Sequence, residues 1–487
     1  MTGPAVTNGH AVEVPFVVAG RRVDGRPPAI RHVENPWATI TIPEFSEHMA
    51  DELTTNAEIA ALPTQEIIAF LNRLGCLWRT DEYPRRRRYV RQLQEVRGIS
   101  EPAARSEADW ISLILRGHTR IWDQLDVELG SRFMLDDWIR REETEVRAFP
   151  RGLSVHLLAG NVPSAAAVSL VRALVTKNTV VLKAAARDLL TPAALALSML
   201  DCDPLHPVAR SVSAVYWDRS DEAGRALVER ADAVCVWGTL DAVEWVRRNA
   251  GPEAEIVPFG PRRSVAVVGA GICTGTELEH VALALAHDVF LHDQHACFSA
   301  QEVFVEAPAE PLLQELGRAF GRYSELLPRS RDTIDDAAVV SLMRRTAEFL
   351  GAEVDTAADG GWTIVRGLAP GSQHPHGRCL YVHEVTSLDE VSAHLDAYVQ
   401  TVGVAPWDLC LAHRDDWASR GVSRITELGL MNLFRPGATH DGYYPLSRLV
   451  RLSSTELPSA VHGKGVVAPI NQTERLEHGT LVELVMS

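Results

Sequence analysis

Hydrophobic and polar residues follow successive patterns along the chain. Residues 44–145 show mostly the spacing of amphipathic helices, and two apolar groups carry it: Ile67, Phe70, Leu71 and Leu74, then Trp110, Leu113 and Ile114. From Val155 onward, short continuous apolar runs alternate with helical patterns. Continuous apolar runs are typical of parallel strands whose sheet is covered by helices on both faces. The pattern therefore predicts an α/β fold that follows a largely helical N-terminal region.

Two α/β regions are predicted, because the alternation restarts at Arg263. The predicted strands of the first region are residues 155–158, 179–182, 212–217 and 233–237, with helices over 164–175, 192–200, 221–230 and 240–248. In the second region the pattern predicts strands over 264–268, 303–305 and 430–435 and a helix over 277–290. It also predicts two strands in the tail, 466–468 and 481–485, that could pair with another subunit. Open parallel sheets bind ligands at the carboxyl ends of their strands. We therefore expect one common edge to hold Gly160, Asn161, Lys183, Gly238 and Thr239.

Composition narrows the classes of function. The 487-residue chain carries a formal net charge of −16, which disfavours a nucleic-acid partner. Its seven cysteines include no C-x-x-C pair, so neither a disulfide framework nor a zinc cluster is indicated, and we expect a reducing, cytoplasmic compartment. Residues 1–10 lack the order of a signal peptide, and no apolar run approaches the roughly 20 residues of a membrane span.

Arg85 to Arg88 form the one basic run of this acidic chain. A charge run of this kind is usually a solvated helix face. The alternative is a patch that binds phosphates or an acidic carrier protein, and the sequence leaves both interpretations open.

Cys297 is the candidate nucleophile. It follows the apolar run 281–290 and stands among small and polar residues in the segment Asp293-Gln294-His295-Ala296-Cys297-Phe298-Ser299. A cysteine that substrate can reach, and whose thiolate is favoured, attacks carbonyl carbons; otherwise a cysteine usually just fills space in a core. Nearby groups that could in principle bind a metal are His287, His292, His295, Asp288 and Asp293. Their spacing matches no standard site, so we predict no metal.

Several segments together resemble a known family. They are Leu157-Leu158-Ala159-Gly160-Asn161-Val162-Pro163, Val180-Val181-Leu182-Lys183, Trp237-Gly238-Thr239, the segment around Cys297, residues 259–264 and residues 432–437. Their order and spacing resemble the aldehyde dehydrogenase superfamily and, more closely, the LuxC-type acyl-CoA reductases of bacterial luminescence. The resemblance covers nearly the whole chain from about Val14 on.

The resemblance implies an aldehyde-dehydrogenase-like fold with two Rossmann-like open parallel-sheet domains and a small oligomerisation element. Residues 1–258 would form a cofactor-binding domain with an N-terminal helical region, and residues 259–440 a catalytic domain that carries Cys297. Residues 441–487 would return to the first domain and supply oligomerisation strands. A homo-oligomer is therefore expected from the resemblance.

The resemblance also implies roles for single residues. Cys297 would be the nucleophile, and Asn161 would bind the oxyanion together with the Cys297 backbone N–H, although Asn161 could instead cap the helix after Ser164. Lys183 would contact the adenosine ribose of the cofactor, and Gly238 and Thr239 its pyrophosphate at a helix N-terminus. Leu158 and Gly160 are placed in the same cofactor-binding edge.

These roles predict reduction of an acyl thioester, from acyl-CoA or an acyl-carrier protein, to an aldehyde. The thiolate forms an acyl-enzyme, and NAD(P)H supplies the hydride. The Glu that activates water in aldehyde dehydrogenases, within E-L-G-G-K, has no counterpart in residues 258–264, although Glu255 stands three residues earlier and could substitute. An aldehyde dehydrogenase that forms the acid, and a non-reducing acyl-transfer or scaffold protein, are the alternatives.

Two further features concern the cofactor. Ala186 stands where NAD-preferring relatives often carry a Glu, and Arg187 follows it, so NADPH is favoured and NADH stays possible. The E-x-F-G-P segment that holds the nicotinamide ribose in the superfamily has no clear counterpart before Leu380.

Overall fold

The structure of the chain is a computed structural model that describes residues 10–26, 29–34, 37–273 and 277–456. The tail strands expected over 466–468 and 481–485 lie outside the described residues. Two seven-stranded sheets organise the described part of the chain. None of its helices is both long enough and apolar enough to cross a membrane.

The first sheet is built from the continuous apolar runs after residue 150 and from an N-terminal hairpin. In spatial order its strands are Glu255–Phe259, Ala233–Trp237, Leu153–Leu157, Thr179–Lys183, Val212–Val215, Phe16–Val18 and Arg21–Val23. The strands after residue 150 are parallel to one another, and the hairpin joins antiparallel at the edge. The connecting helices are Ala165–Val175, Leu190–Cys202, Glu222–Glu229 and Leu240–Asn249. Because helices cover the sheet, strands such as Thr179–Lys183 are buried almost throughout.

The second sheet begins at Arg263, where the alternation restarts. Its strands lie in the order Glu353–Thr356, Thr363–Arg366, Cys379–Val385, Ala300–Glu306, Arg263–Val268, Val399–Ala405 and Arg424–Glu427. Only the first of these is antiparallel to its neighbour. The longer helices of this half are Leu278–Phe290, Glu310–Leu326, Ile334–Phe349 and Asp408–Ser419. The two sheets together give the expected pair of Rossmann-like units.

Residues 430–435, which we expected to be a strand, form turns instead. The preceding strand ends at Glu427, and Gly429 adopts a φ of +87°, which turns the chain away from the sheet. The segment then wraps around Asp288, whose buried carboxylate accepts hydrogen bonds from the backbone N–H groups of Gly429 at 2.5 Å and Met431 at 3.2 Å. Met431 is therefore buried within a loop and not in a paired strand, while Leu430, Leu433 and Phe434 are only partly buried.

A helical region precedes the parallel strands of the first sheet, as predicted. Its helices are Glu47–Glu52, Ala57–Ala61, Thr64–Trp78, Pro84–Arg97, Glu101–Leu115 and His118–Leu129. The group predicted by Ile67, Phe70, Leu71 and Leu74 is fully buried. The second group lies on helix Glu101–Leu115, as its spacing predicted, but it does not form the buried face, since Leu113 is 52% exposed. The buried residues are Ala104, Glu107, Ala108, Ile111, Ser112 and Leu115, and the helix packs against helices Thr64–Trp78 and Ala165–Val175.

The basic run divides between interior and surface. Arg86 is 4% exposed and binds the carboxylates of Asp81 and Asp109 at 2.9 and 2.8 Å. Arg85 binds Asp201 at 2.7 Å. Arg87 and Arg88 are exposed. Half of the run is therefore structural, which reduces any phosphate-binding patch to two side chains.

Two smaller sheets complete the fold. Ile139–Arg140, Thr144–Pro150 and Val450–Glu456 form an antiparallel sheet, and His10–Glu13, Ala38–Pro43 and Ile30–Glu34 form another sheet. Most residues of Val450–Glu456 are exposed. Just before this strand, the chain returns to the first half of the molecule, and Leu446 and Val450 pack into the hydrophobic core of that half.

Candidate active site

Cys297 follows a tight turn that has an unusual backbone. Leu291–Gln294 forms a 3-10 turn in which His292, Asp293 and Gln294 have φ angles of +55°, +48° and +65°. Left-handed conformations of non-glycine residues cost roughly 1–3 kcal/mol each and persist only where the surroundings fix them. Three strained residues in a row, next to the candidate nucleophile, indicate a backbone that is held in place from outside.

Each strained side chain is held by a different part of the structure. His292 Nδ1 donates to Glu107 Oε1 at 2.5 Å, and both residues are buried. Asp293 Oδ1 accepts from Arg378 Nε at 2.7 Å. The Gln294 amide accepts from the Cys379 backbone N–H at 2.8 Å and donates to the Ala300 carbonyl at 2.7 Å. The helical region and two strands of the second sheet thus determine where Cys297 lies.

The Cys297 thiol sits in a polar pocket at the start of the second sheet. The Gln400 side chain hydrogen-bonds the thiol, and Gln400 Nε2 donates to Asp441 Oδ1 at 2.6 Å. The Cys297 carbonyl accepts from Ser264 Oγ at 2.7 Å. The pKa of the Cys297 thiol is raised to about 12, mainly by burial and also by the nearby Asp441 carboxylate, while the Gln400 hydrogen bond opposes this rise. This environment favours the neutral thiol over the thiolate at neutral pH.

Buried polar atoms without a hydrogen-bond partner surround this pocket. Within the described residues they include Gln400 Oε1, Thr401 Oγ1, Ser299 Oγ and His440 Nε2. Burial, together with the positive charge of Arg172, Arg424 and Arg262, keeps the pKa of His440 well below its usual value. Unsatisfied buried groups are costly, and their concentration beside a candidate nucleophile is typical of a site that a ligand completes.

Aromatic rings connect the nucleophile to the first sheet. Phe298 meets Phe434 edge-on at 5.7 Å between centroids, and Phe434 stacks on His440 at 5.0 Å. His440 meets Phe259 at 4.7 Å, and Phe259 stacks on Trp237 at 4.0 Å. Trp237 directly precedes Gly238, so an aromatic wall runs from Cys297 to the expected pyrophosphate site.

Asn161 lies directly against the nucleophile segment. Its Nδ2 donates to the His295 carbonyl at 2.8 Å, two residues before Cys297. A side-chain amide has two N–H groups, so one remains for a ligand. The helix Ala165–Val175 begins after Ser164 without a side-chain cap, so the Asn161 side chain serves the nucleophile segment and does not cap this helix.

A cavity of about 380 Å³ opens beside these segments, between the helical region and the second half of the chain. Its described lining includes four of the predicted site residues, Gly160, Asn161, Ala186 and Arg187, and also His295. A Cβ atom at Gly160 would lie only 2.7 Å from Arg187 Cβ, which explains the glycine. Gly160 O accepts from Arg97 at 2.6 Å. Cys297, Lys183, Gly238 and Thr239 are not among the described lining residues.

The other predicted cofactor residues stand along the edge of the first sheet. Lys183 Nζ lies 4.9 Å from the centroid of the Tyr216 ring, and burial lowers the pKa of this ammonium to about 8. Leu158 is buried, and its backbone N–H donates to the Lys183 carbonyl at 3.0 Å. Thr239 caps the helix Leu240–Asn249, and a Cβ at Gly238 would meet only Ala242, at 3.5 Å. An exposed helix start beside a lysine fits an anionic dinucleotide.

The Glu255 carboxylate forms ion pairs away from the ligand edge of the sheet. Glu255 is the first residue of strand Glu255–Phe259 and therefore lies at the amino end of the sheet, away from the ligand edge. Its carboxylate binds Arg151 at 2.8 Å and also binds Arg448. These contacts give Glu255 a structural role and leave residues 258–264 without a water-activating carboxylate.

Several residues of the site were not predicted from the sequence, although the residue pattern around some of them could have indicated their role. Glu107 is a charged residue on the buried face of its helix, and Gln400 is a long polar residue within the fully buried strand Val399–Ala405. In place of E-x-F-G-P the chain carries His374, His376 and Arg378, which contact the nucleophile turn or the strand beside it. No pattern in the sequence around Asp441 indicates that it lies close to Cys297.

Known proteins are similar to this chain over most of its length. The family model described as acyl-CoA reductase (LuxC) matches residues 59–452. A relative from Photorhabdus luminescens, named long-chain acyl-protein thioester reductase, is 36% identical over 452 residues, with 92% of this chain and 93% of the relative covered. A relative of the same name from Photobacterium phosphoreum is 33% identical over 478 residues, with 97% of each chain covered.

Solved structures of aldehyde dehydrogenases share the fold. Lactaldehyde dehydrogenase from Escherichia coli matches with a TM-score of 0.68 at 18% identity, over 92% of this chain and 100% of that one. NADP-dependent glyceraldehyde-3-phosphate dehydrogenase from Bacillus halodurans, solved with NADP, matches with a TM-score of 0.69 at 16% identity, over 92% and 100%. At these identities the likeness shows the fold alone. The chain therefore belongs to the acyl-CoA reductase (LuxC) family of oxidoreductases and has the fold of the aldehyde dehydrogenases.

Proposed function

We propose that this protein reduces a long-chain acyl thioester to the aldehyde through an acyl group carried on Cys297. The observation that carries the proposal is the contact between Asn161 and the segment of Cys297, which brings an amide donor to the nucleophile. The two curated relatives are named for long-chain acyl-protein thioester reduction, which supports both the reaction and a long acyl chain.

The first step is acyl transfer to Cys297. The Cys297 thiol releases its proton to water, and the thiolate attacks the thioester carbonyl carbon, whose oxygen becomes an oxyanion. The free N–H of Asn161 and the Cys297 backbone N–H stabilise this oxyanion, and each such donor typically contributes about 3–4 kcal/mol. The intermediate collapses when the bond to the donor sulfur breaks, and the donor leaves as a thiolate that takes up a proton.

The second step reduces the acyl group. A nicotinamide cofactor, when bound, would supply the hydride. The acyl carbon on Cys297 takes up this hydride, and the resulting oxyanion gains a proton from water to give a thiohemiacetal. Its hydroxyl loses a proton, the bond to Cys297 breaks, and the aldehyde leaves while the cysteine sulfur regains a proton. The donors proposed for the first oxyanion stabilise the second in the same way.

The cofactor site is proposed at the edge of the first sheet. Lys183 would hold the adenosine ribose, Gly238 and Thr239 the pyrophosphate, and Leu158 and Gly160 the adjoining backbone. Ala186 leaves room for a 2′-phosphate and Arg187 would pair with it, which supports NADPH over NADH. Arg187 is exposed, and no ion pair holds it within the described chain. Homo-oligomerisation through the exposed strand Val450–Glu456 is proposed as well.

Oxidation of an aldehyde to the acid is the weaker candidate. Hydrolysis of the acyl-enzyme needs a base that activates water, and Glu255 is held by two arginines at the far end of its strand. Attack by a thiol needs no such base. The site therefore favours exchange with thiols over release of acid.

The test measures NADPH consumption with acyl-CoAs from acetyl to palmitoyl, alongside intact-mass analysis of samples without NADPH. We expect consumption with an optimum at long chains and an acyl adduct on Cys297. The Cys297→Ala variant should show neither signal, whereas the Cys410→Ala variant removes a cysteine on a distant helix and should show both. Turnover by Cys297→Ala at the wild-type rate would rule out the acyl-Cys297 route.

A further inference from the structure

Glu107 binds both segments that carry the proposed catalytic groups. One carboxylate oxygen, Oε1, accepts from His292 Nδ1 at 2.5 Å, in the turn that leads to Cys297. The other oxygen, Oε2, accepts from the backbone N–H of Ser164 at 3.2 Å, in the segment that carries Asn161. Glu107 belongs to neither segment, because it lies on helix Glu101–Leu115 of the N-terminal region.

We infer that Glu107 is a positioning residue that fixes the Asn161 side chain relative to Cys297. The inference rests on the proposed function, in which these two groups share one oxyanion. Glu107 does not act on substrate; it acts through His292 on one side and through Ser164 on the other.

The strained turn explains why such a residue is needed. His292, Asp293 and Gln294 all have positive φ angles, and none of them is a glycine. Without the contact to Glu107, the strain at His292 would relax toward ordinary backbone angles, and the downstream segment would shift. A misplacement of about 1 Å at a catalytic group can lower the rate roughly 100-fold.

A carboxylate is suited to this position because its two oxygens accept hydrogen bonds in different directions. Glu107 is buried. Burial works against the charged form of both partners, but the imidazole of His292 lowers the pKa of the Glu107 carboxyl and the carboxylate raises the pKa of His292, which favours an ion pair. Arg97, which also lowers the pKa of Glu107, donates to the Gly160 carbonyl next to Asn161. The same cluster therefore supports the Asn161 segment twice.

The experiment is a double-variant cycle on acylation. Wild type, Glu107→Gln, Asn161→Ala and the double variant are mixed with myristoyl-CoA without cofactor, and the adduct on Cys297 is followed by quenched intact-mass analysis. Asn161→Ala should slow acylation by roughly 100-fold, as loss of an oxyanion donor does. We expect Glu107→Gln to slow it about 10- to 100-fold, and the double variant to be no slower than Asn161→Ala alone.

Two comparisons separate positioning from general damage. Glu128→Gln changes another buried glutamate of the helical region, which binds Leu446 N and Gln124, and should slow acylation less than about 2-fold. Alkylation of Cys297 by iodoacetamide needs no oxyanion donor, so Glu107→Gln should leave its rate within about 3-fold of wild type. If Glu107→Gln does not fold, His292→Gln repeats the cycle from the other side of the contact.

The possible failures are distinguishable. A double variant that is slower by the product of the two single effects overturns the role of Glu107, because the two residues then act independently. A loss of iodoacetamide reactivity equal to the loss of acylation overturns it too, since the damage then lies in the thiol. A wild-type protein that takes an acyl group neither from myristoyl-CoA nor from a myristoyl-acyl-carrier protein overturns the proposed function, and this inference with it.

Discussion

Gln400 joins the Cys297 thiol to the Asp441 carboxylate. Its side-chain Nε2 lies 2.6 Å from Asp441 Oδ1, and the same side chain hydrogen-bonds the cysteine. The neighbours of the thiol therefore act in opposite directions on its ionisation. The hydrogen bond favours the thiolate, whereas the negative charge of Asp441 disfavours it.

This arrangement predicts the pH dependence of alkylation. Because the thiol pKa is raised to about 12, the thiolate fraction rises about tenfold per pH unit below that value. The rate of iodoacetamide reaction at Cys297 should thus increase from pH 7 to pH 10 without a plateau. A plateau near pH 8, measured by peptide mass analysis, would show that the thiol is much more acidic in the folded protein.

Substitutions at Gln400 and Asp441 should shift that profile in opposite directions. Gln400→Ala removes the donor and should lower the alkylation rate at pH 8 by roughly 3- to 10-fold. Asp441→Asn removes the charge, keeps an oxygen that accepts from Gln400, and should raise the rate by a similar factor. Rates that fall in both variants would mean that the pair only maintains packing.

A substitution at Asn161 tests whether its side-chain amide acts as a hydrogen-bond donor in the reaction. Asn161→Asp keeps the size of the side chain but replaces the donor with a negative charge beside the developing oxyanion. We expect kcat for thioester reduction to fall by at least about 100-fold, with thermal stability within about 0.5 kcal/mol of wild type because the residue is exposed. A fall in stability without a fall in kcat would instead indicate that Asn161 serves the fold.

Cofactor preference should change at Ala186. Ala186→Glu places a carboxylate beside the site proposed for the 2′-phosphate, and the repulsion should weaken NADPH binding by about 10-fold or more while NADH binding is maintained. Fluorescence titration of the two cofactors measures the ratio. Ala185→Glu, one residue earlier, is the control for a new charge in the same turn. An unchanged ratio in Ala186→Glu would place the 2′-phosphate elsewhere.

Two arginines of the basic run, Arg86 and Arg88, should differ in their contribution to the free energy of unfolding. Arg86→Ala removes a buried side chain with partners at Asp81, Asp109 and the Trp78 carbonyl, and should lower the free energy of unfolding by about 2 kcal/mol. Arg88→Ala changes an exposed arginine and should alter it by less than about 0.5 kcal/mol. Denaturant melts of the two variants check the difference, and equal values would contradict the assignment of Arg86 to the interior.

The sequence predicted the features that local pattern determines. Continuous apolar runs identified four parallel strands of the first sheet and the central strands Arg263–Val268 and Ala300–Glu306 of the second. The small and polar surroundings of Cys297 identified a segment that proves to be a turn. Both follow from short-range physics, because a strand covered on two faces and a reachable turn leave their mark in neighbouring residues. The resemblance then added roles that no local pattern contains.

What could not be predicted depends on contacts between distant segments. No residue pattern near His292 indicates a left-handed turn, because positive φ angles are usually adopted by glycine. This turn is instead fixed by contacts with Glu107 and Arg378, which lie far away in the sequence. Residues 430–435 are apolar enough for a strand, but Asp288 binds their backbone and holds them as a loop. In helix Glu101–Leu115 the large apolar residues Trp110 and Leu113 do not mark the packed face, which includes Ala104 and Ala108.

The return of the chain to its first half has a consequence for synthesis on the ribosome. Leu446 and Val450 belong to the hydrophobic core that residues 12–246 otherwise form, and the Asn178 side chain binds the Leu449 carbonyl at 2.9 Å. The first half completes its core only after the second half has emerged from the exit tunnel. A nascent chain stalled before residue 446 therefore presents an unfilled apolar cleft, which is the kind of surface that chaperones bind.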